Sequence, residues 1–444
     1  MRHLWRLGPG DRGRRLLVPF TVDDDRPIII RLDHDPAGGT IDLGLWDPSG
    51  WRGYSGGARR VVALAPGRAT PGYRRGPLPR GEWAVELGVH RVGVPELRVE
   101  VSVERTESDP ADAPTGPPDR TSPPDRTGEL PPVPRGSERR LPAEAGLTWY
   151  AGDFHAHSVH SDGTLTLDEL ARAAVGAGLD FLAVTDHNTI SHQADLAAVG
   201  LRQQICLIPG QEVTTDRGHA NVYGDVGWID FHDPPDRWLA ETRDRGGLMS
   251  INHPLADDCA WQWAMPELPE VLEFWHVSWY RDRQASGLTD TAMFALWARW
   301  RSDAVLLGGS DLHTPESGIT PGLPTTWVAA EAATPEAILA GVAAGRTAIS
   351  AGLARRAGAP PQSEPVLLPV GRALAAVAAA GLVLVDPLGQ RQLITSADMT
   401  INDPAWGLWR LETPTGALRA VASVVPAVPA VPVVPVRGRP GPGH

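Results

Sequence analysis

The stretch Asp153-Phe154-His155-Ala156-His157 closes a predicted strand and decides how the rest of the chain is interpreted. Successive side chains of a strand point to opposite faces, so residues two apart share a face. His155 and His157 can therefore direct both imidazoles at one metal ion, and imidazole nitrogen is a common ligand of divalent ions in proteins. The stretch predicts a metal site at the carboxyl end of this strand.

Strand and helix patterns alternate on either side of this stretch, from about residue 147 onward. Thr166 and Glu169 have the spacing of a capping box, which begins a helix, and residues 179–185 form a buried strand pattern. Further strands are predicted at 204–208, 220–223, 248–251, 271–275, 304–307 and 326–329, and helices at 191–201, 237–245, 289–301 and 335–344. Repeated βα units of this number predict an α/β fold with a closed parallel barrel.

Candidate metal ligands stand at the carboxyl ends of most of these strands, where a βα barrel builds its active site. Ten of the fourteen histidines lie between His155 and His313. The candidates are His155, His157, Asp162, His187, Glu212, His219, His253, Asp311 and His313. Nine such residues exceed what one zinc ion needs, so the sequence predicts a cluster of two or three divalent ions. Zinc, manganese and iron all suit these nitrogen and oxygen ligands.

Each candidate ligand taken alone is weaker evidence for a metal site than the nine taken together. His219 alone is as consistent with a structural role as with a ligand, and so is Asp162, because Asp before Gly is a common turn signal. Asp186 precedes a candidate ligand and is predicted to accept a hydrogen bond that orients an imidazole. Four histidines lack the placement at a strand end and are interpreted as structural: His160, His192, His232 and His276.

The motif set occurs in one order along the chain: Phe154-His155-Ala156-His157-Ser158, Ser161-Asp162-Gly163, Thr185-Asp186-His187, Gly210-Gln211-Glu212, Asn252-His253-Pro254 and Ser310-Asp311-Leu312-His313. With these motifs, residues 150–350 resemble the PHP (polymerase and histidinol phosphatase) metallohydrolases. The flanking β domain and residues 345–350 further resemble the CehA/McbA-type branch, which includes carbamate and aryl-ester hydrolases.

The resemblance implies a distorted (β/α)7 TIM-like barrel of the PHP type and a division of the ligands among three ions. It implies that a first ion is held by His155, His157, Glu212 and Asp311. Glu212 would bridge to a second ion held with His219 and His253, and a third would be held by Asp162, His187 and His313. Catalytic roles are accordingly expected for Glu212, Asp311 and His219, the last as an aid to proton transfer.

The leading functional hypothesis is a phosphoesterase, a phosphatase or phosphodiesterase acting on a small phosphorylated substrate. Paired metal ions about 3.5–4 Å apart suit in-line displacement at phosphorus. Arg217, five residues after Glu212, is the candidate phosphate contact. An aryl ester or carbamate hydrolase on the same centre is the first alternative, because aromatic residues could line an apolar pocket: Trp261, Trp263, Trp275, Trp279 and Tyr280. A non-catalytic scaffold or binding module is the second.

The remaining sequence predicts a multidomain organisation. Residues 1–105 alternate apolar and polar side chains between Gly/Pro turns, which indicates an antiparallel β-sandwich. Residues 106–144 are predicted to be a disordered Pro-rich linker, and the hydrolase barrel spans 145–355. A small C-terminal β segment is expected at 356–420, followed by a disordered Val/Pro tail at 421–444.

Composition limits the functions that are possible. The 444 residues carry a formal net charge of -12 and no lysine, so neither a nucleic-acid scaffold nor a lysine Schiff base is expected. The expected partner is a small-molecule substrate. Two cysteines and no visible signal peptide or membrane span favour a cytoplasmic location, and the oligomeric state is left open.

Overall fold

The computed structural model describes residues 1–107, 133–256, 259–278, 290–300, 303–352 and 363–425. The N-terminal strands are β1 Arg2–Leu7, β2 Arg15–Val22, β3 Ile28–His34, β4 Gly39–Asp47, β5 Gly50–Tyr54, β6 Val61–Ala65, β7 Arg68–Ala69, β8 Gly81–Val92 and β9 Leu97–Arg105. They form two antiparallel sheets, ordered β1-β9-β3-β6-β7 and β2-β8-β4-β5. Alternate residues of β3, Ile28, Ile30 and Leu32, enter a core shared with the second sheet. The predicted N-terminal antiparallel sheet domain is confirmed.

The central part of the chain mixes strands and helices. Its strands are β10 Thr148–Asp153, β11 Phe181–Val184, β12 Cys206–Thr215, β13 Gly218–Tyr223, β14 Leu248–Ile251, β15 Val271–His276, β16 Val305–Gly309, β17 Thr325–Ala330 and β18 Thr347–Ser350. Its helices are α1 Leu167–Gly176, α2 Gln193–Gln203, α3 Pro235–Asp244, α4 Asp290–Trp297 and α5 Pro335–Ala343. The strands lie in one sheet in the order β16-β15-β14-β13-β12-β11-β10-β17-β18.

The closed parallel barrel predicted from the sequence is not confirmed. Strands β12, β13 and β14 pair antiparallel, and so do β10, β17 and β18. Only two residues, Asp216 and Arg217, join β12 to β13, and a connection that short allows a hairpin but no parallel crossover. Within the described ranges no backbone ladder joins β16 to β17. The hydroxyl of Thr326 links them instead, accepting from the amide of Gly308 (2.7 Å) and donating to its carbonyl (2.9 Å).

Helix α1, which follows the loop that carries Asp162, begins where the local sequence predicts. The hydroxyl of Thr166 accepts from the amide of Glu169, and the Glu169 carboxylate accepts from the amide of Thr166, so the predicted capping box is confirmed. The helix then buries one face against the central core through Leu167, Leu170, Ala171 and Ala174. It follows the loop that carries Asp162 and fixes where that loop ends.

The C-terminal strands are β19 Val366–Val370, β20 Ala373–Val377, β21 Val383–Val385, β22 Arg391–Leu393, β23 Met399–Asn402, β24 Gly407–Glu412 and β25 Leu418–Val424. Strand β25 pairs with β18 and extends the central sheet to β24, β21 and β22. It continues beyond residue 421, where the sequence predicted the tail to begin. The rest of that tail, 426–444, and most of the predicted linker, 108–132, lie outside the described residues. None of the helices described here has the length and apolarity that crossing a membrane requires.

The N-terminal sheets pack on the central part through aromatic and charged contacts. Trp51 stacks on Trp228 with ring centroids 4.8 Å apart. His232 lies between two carboxylates, with Nε2 2.6 Å from Oε1 of Glu86 and Nδ1 2.6 Å from Oδ1 of Asp230. Burial by itself lowers the pKa of His232, but the hydrogen bonds to Asp230 and Glu86 outweigh it and raise the pKa to about 9. His232 is therefore a cation in the folded protein at neutral pH.

This contact predicts a pH-dependent stability. Because the folded pKa lies above the ordinary value of 6.5, the stabilisation is complete below pH 6.5 and is lost as the pH rises through about 9. After discounting for solvent screening, we expect a contribution on the order of 1–2 kcal/mol. Thermal unfolding between pH 6 and 10 should show a steeper alkaline loss for the wild type than for His232→Gln. Parallel profiles for the two proteins would contradict the assignment.

Candidate metal centre

Glu212 lies at the centre of the candidate site, fully buried on β12. Its Oε1 is 3.3 Å from Nε2 of His155, 3.2 Å from Nδ1 of His219 and 3.4 Å from Nε2 of His253. Its Oε2 is 2.7 Å from Nδ1 of His187 and 3.5 Å from Nε2 of His157. One carboxylate therefore faces five imidazoles that come from four different segments of the chain.

Asp311 forms the second carboxylate of the site, just after β16. Its Oδ1 is 3.3 Å from Nε2 of His155 and 3.0 Å from Nε2 of His157. Its amide donates to the carbonyl of His155 (2.9 Å), so the two loops are held side by side. Asp311 has φ 49° and His253 has φ 25°, both in the left-handed region. Such backbone is costly for these residues and persists where surrounding contacts enforce it, commonly at functional sites.

A third group lies toward the surface. Oδ1 of Asp162 is 3.5 Å from Nε2 of His187 and 3.4 Å from Nε2 of His313. The side chain of Asp162 is 45% exposed, against 0% for Glu212, so solvent or a substrate can reach this group. The structure thus brings together all nine residues that the sequence nominated. Donor atoms within 4.8 Å of one another define three overlapping groups among them: His155/His157/Glu212, His187/Glu212/His219 and His157/Asp162/His187/His313.

Two further residues of the site were missed at the sequence level, both on β15. Glu273 and His276 form a fourth group of possible donors with His155 and His253. His276 was predicted to be structural. Its side chain is 3% exposed and places Nε2 3.3 Å from Oδ2 of Asp311. His276 is therefore added to the candidate residues of the centre, and its position directly after the predicted strand 271–275 was the available signal. The other three histidines set aside as structural have partners outside these donor groups: His160, His192 and His232.

Asp186 has a different role from the one expected. It accepts from the amide and hydroxyl of Ser158 (2.8 and 2.7 Å) and from the amide and hydroxyl of Ser161 (3.1 and 2.7 Å). Among the described residues, the imidazole with which it forms an ion pair is that of His192, at 3.1 Å, which is not a candidate ligand. Asp186 therefore closes the loop between His157 and Asp162. It does not orient the imidazole of His187.

The donor chemistry fits divalent ions. Within the described ranges, several buried atoms of the site have charged neighbours but no hydrogen bond of good geometry, among them Nε2 of His155, Oε2 of Glu212 and Nε2 of His276. Burial of such atoms is costly unless a ligand satisfies them. Burial, with the neighbouring His313 and His187, lowers the pKa of His157 to about 4, so this imidazole is neutral at pH 7. A neutral imidazole is the form that binds a metal.

The electrostatics of the two kinds of group are complementary. Burial alone raises the pKa of Glu212, but His155, His187 and His219 outweigh it and hold that pKa well below its ordinary value. Burial alone lowers the pKa of His155, but Glu212, Glu273 and Asp311 raise it well above its ordinary value. Imidazolium groups thus balance the negative charge of the buried carboxylates. Bound cations would balance the same charge.

Arg217, the predicted phosphate contact, lies at the turn between β12 and β13. Its guanidinium carbon lies 3.9 Å from the ring centroid of Trp263, and its Nη2 donates to the carbonyl of Gln262 (3.0 Å). The neighbouring Asp216 contacts Arg12 (3.3 Å) and His90 (2.7 Å) of the N-terminal domain. Arg217 is therefore held beside the site, on the hairpin that also carries His219, and its contact with phosphate stays a prediction.

Comparisons with known proteins identify part of this region. A 5'-3' exoribonuclease of Haemophilus influenzae is 41% identical over 68 residues, which are 14% of this chain and 23% of that protein. A two-domain protein of Bacteroides vulgatus, described as containing a predicted PHP-like metal-dependent phosphoesterase, is 19% identical at TM-score 0.39, covering 66% of this chain and 91% of its own.

Two more solved structures are similar. A putative metal-dependent phosphoesterase of Bifidobacterium adolescentis is 16% identical at TM-score 0.28, covering 36% of this chain and 87% of its own. An amidohydrolase of Chromobacterium violaceum, with bound sulfate and no metal, is 20% identical at TM-score 0.28, covering 38% of this chain and 89% of its own. A family model for the PHP domain matches residues 153–252, which hold six of the nine nominated residues. The sequence of this chain therefore carries a PHP domain match at residues 153–252.

Proposed function

We propose that this protein is a metal-dependent phosphoesterase that hydrolyses a small phosphorylated substrate on a centre of two or three divalent ions. The observation that carries the proposal is the position of Glu212, whose two oxygens each face at least two imidazoles. A carboxylate placed in this way can bridge ions. The PHP domain match and the local identity to an exoribonuclease, an enzyme of phosphodiester chemistry, support the same reaction class.

The ions would be held as the donor groups suggest. His155, His157, Glu212 and Asp311 would hold the first ion, and Glu212 would share a second with His219 and His253. Asp162, His187 and His313 would hold a third near the surface, where the exposed side chain of Asp162 leaves the group open to a substrate. Ions of this kind lower the pKa of a water that they bind to about 7 and neutralise charge on a phosphoryl group.

The side chains of this protein would supply orientation and proton transfer. His219 turns Nδ1 toward Glu212, so its Nε2 would be free to donate a hydrogen bond to a leaving oxygen or a water and so assist proton transfer. The 13% exposure of its side chain gives it that access. Arg217, two residues earlier on the same hairpin, would leave the ring of Trp263 and pair with a phosphate oxygen.

The alternative of an ester or carbamate hydrolase uses the same metal centre. The positions of the aromatic residues that suggested it give it little support. Trp275 is fully buried in a hydrophobic core, and Trp261 packs on Trp238 with ring centroids 6.4 Å apart. Trp279 and Tyr280 lie outside the described residues. Of the five aromatic residues, Trp263 is the one that remains as a candidate for lining a pocket, and Arg217 covers one face of its ring. We therefore rank phosphate esters first.

A side-by-side turnover assay tests this ranking. Protein reconstituted with zinc, manganese or iron(II) would be given p-nitrophenyl phosphate, bis(p-nitrophenyl) phosphate and 1-naphthyl N-methylcarbamate. We expect turnover of a phosphate ester that disappears when a chelator removes the metal. Arg217→Ala should weaken phosphate-ester turnover and leave any carbamate turnover unchanged. Turnover of the carbamate alone would replace the phosphoesterase proposal by the ester and carbamate class.

A further inference from the structure

We propose that Glu273, on β15, is a positioning residue of the metal centre that fixes the orientation of two ligand segments at once. The proposal rests on the proposed function, because it assumes that His155 and His253 bind metal. Glu273 belongs to none of the predicted ligand motifs and is 118 residues from His155 along the chain. It is 2% exposed, and a carboxylate is buried so deeply only when its oxygens have partners.

The first partner is the imidazole of His155. Oε1 of Glu273 is 2.9 Å from Nδ1 of His155, and Nε2 of the same ring faces Glu212 and Asp311, each at 3.3 Å. A carboxylate on Nδ1 places the ring proton there and leaves the lone pair of Nε2 directed into the centre. Such a partner also raises the basicity of the ligand nitrogen.

The second partner is the backbone of His253. Its amide donates to Oε2 of Glu273 at 2.7 Å, and His253 has the left-handed φ of 25° noted above. The hydrogen bond ties this costly backbone conformation to β15 and so sets the direction of the His253 ring. Both oxygens of Glu273 are thus engaged. We infer that it positions ligands and is not itself a ligand.

The neighbouring strand leaves space for this arrangement. A Cβ added to Gly309 would lie 2.3 Å from Oε1 of Glu273 and 2.4 Å from Cβ of His155. Either contact is too short for real atoms, so the ion pair between Glu273 and His155 requires glycine at position 309. The close approach of β16 to β15 at Gly309 therefore allows Glu273 to reach His155.

The test compares metal affinity in Glu273→Ala, Glu273→Gln and Asp180→Asn. Asp180 is the matched control, because it is a buried carboxylate that accepts from Ser137 and Ala151 and lies outside the donor groups of the centre. Zinc affinity would be measured by competition with a chromogenic chelator, alongside circular dichroism to establish that each variant is folded. The proton on Nδ1 of His155 would be followed by ¹⁵N NMR of zinc-loaded protein.

We expect Glu273→Ala to weaken zinc binding about 10–100-fold, the usual effect of removing such a partner. Glu273→Gln should lose less, because its amide oxygen can still accept from His155 but its amide nitrogen cannot accept from His253. Asp180→Asn should bind zinc like the wild type. Folded Glu273→Ala with wild-type affinity and an unchanged Nδ1 proton would overturn the inference. Zinc binding without turnover in the wild type would instead count against the proposed function, and a wild type that takes up no zinc would overturn both.

Discussion

Asp311→Asn is expected to lower the kcat/KM for a phosphate ester by more than about 100-fold, since removing an outer partner of a ligand alone costs about 10–100-fold. Asp311 places Oδ1 within 3.3 Å of both His155 and His157. Asparagine keeps the shape but removes the charge. The amide nitrogen that replaces one oxygen cannot bind a cation.

The experiment separates metal loss from loss of turnover. Initial rates would be measured with elemental analysis on the same samples, and we expect both the rate and the metal content per chain to fall. Asp236→Asn, at an exposed position in the first turn of α3, is the control and should behave as wild type. If the Asp311→Asn protein kept its full metal content and rate, Asp311 would not be a ligand of the metal centre.

Trp327→Ala is expected to have the largest effect on stability, about 3–5 kcal/mol in the free energy of unfolding. Trp327 is fully buried on β17, and its Nε1 donates to the hydroxyl of Ser350 at 2.9 Å. Removing the indole leaves a cavity in the buried core that Trp327 shares with Trp149 and Ala151. It also leaves the buried hydroxyl of Ser350 without this donor.

Urea denaturation followed by circular dichroism measures the effect. Trp406→Ala is the matched control, because Trp406 is 71% exposed and its truncation should change the free energy of unfolding by less than about 0.5 kcal/mol. The two substitutions remove the same atoms, so their difference reports the burial of Trp327 together with its hydrogen bond to Ser350. A loss below about 1 kcal/mol for Trp327→Ala would show that the core around β17 is looser than the structure indicates.

Local sequence signals predicted the elements well. The strand at Leu248–Ile251 has the bounds that the pattern predicted, and the capping box of α1 is in place. Candidate ligands were found because they follow strand ends, and the structure gathers all nine of them around Glu212 and Asp311. These residues could be nominated because strand ends are marked in sequence by a change from apolar to polar residues.

Pairing direction and distant contacts were not predictable in the same way. Periodicity locates a strand but does not say which neighbour it pairs with, so the hairpin between β12 and β13 was mistaken for part of a parallel barrel. Glu273 could not be nominated, because its function depends on contact with His155 and not on any local spacing. Asp186 was predicted to orient an imidazole, and its contacts with Ser158 and Ser161 could not be foreseen for the same reason: both residues precede it by more than twenty positions.

We propose that Glu212 and Asp311 lie among two or three divalent ions. Anomalous diffraction from crystals of the manganese-loaded protein tests it most directly. We predict two or three anomalous peaks, with one shared by His155, His157, Glu212 and Asp311 and a second between Glu212, His219 and His253. Manganese peaks elsewhere in the molecule, with none within ligand distance of Glu212 or Asp311, would contradict the account.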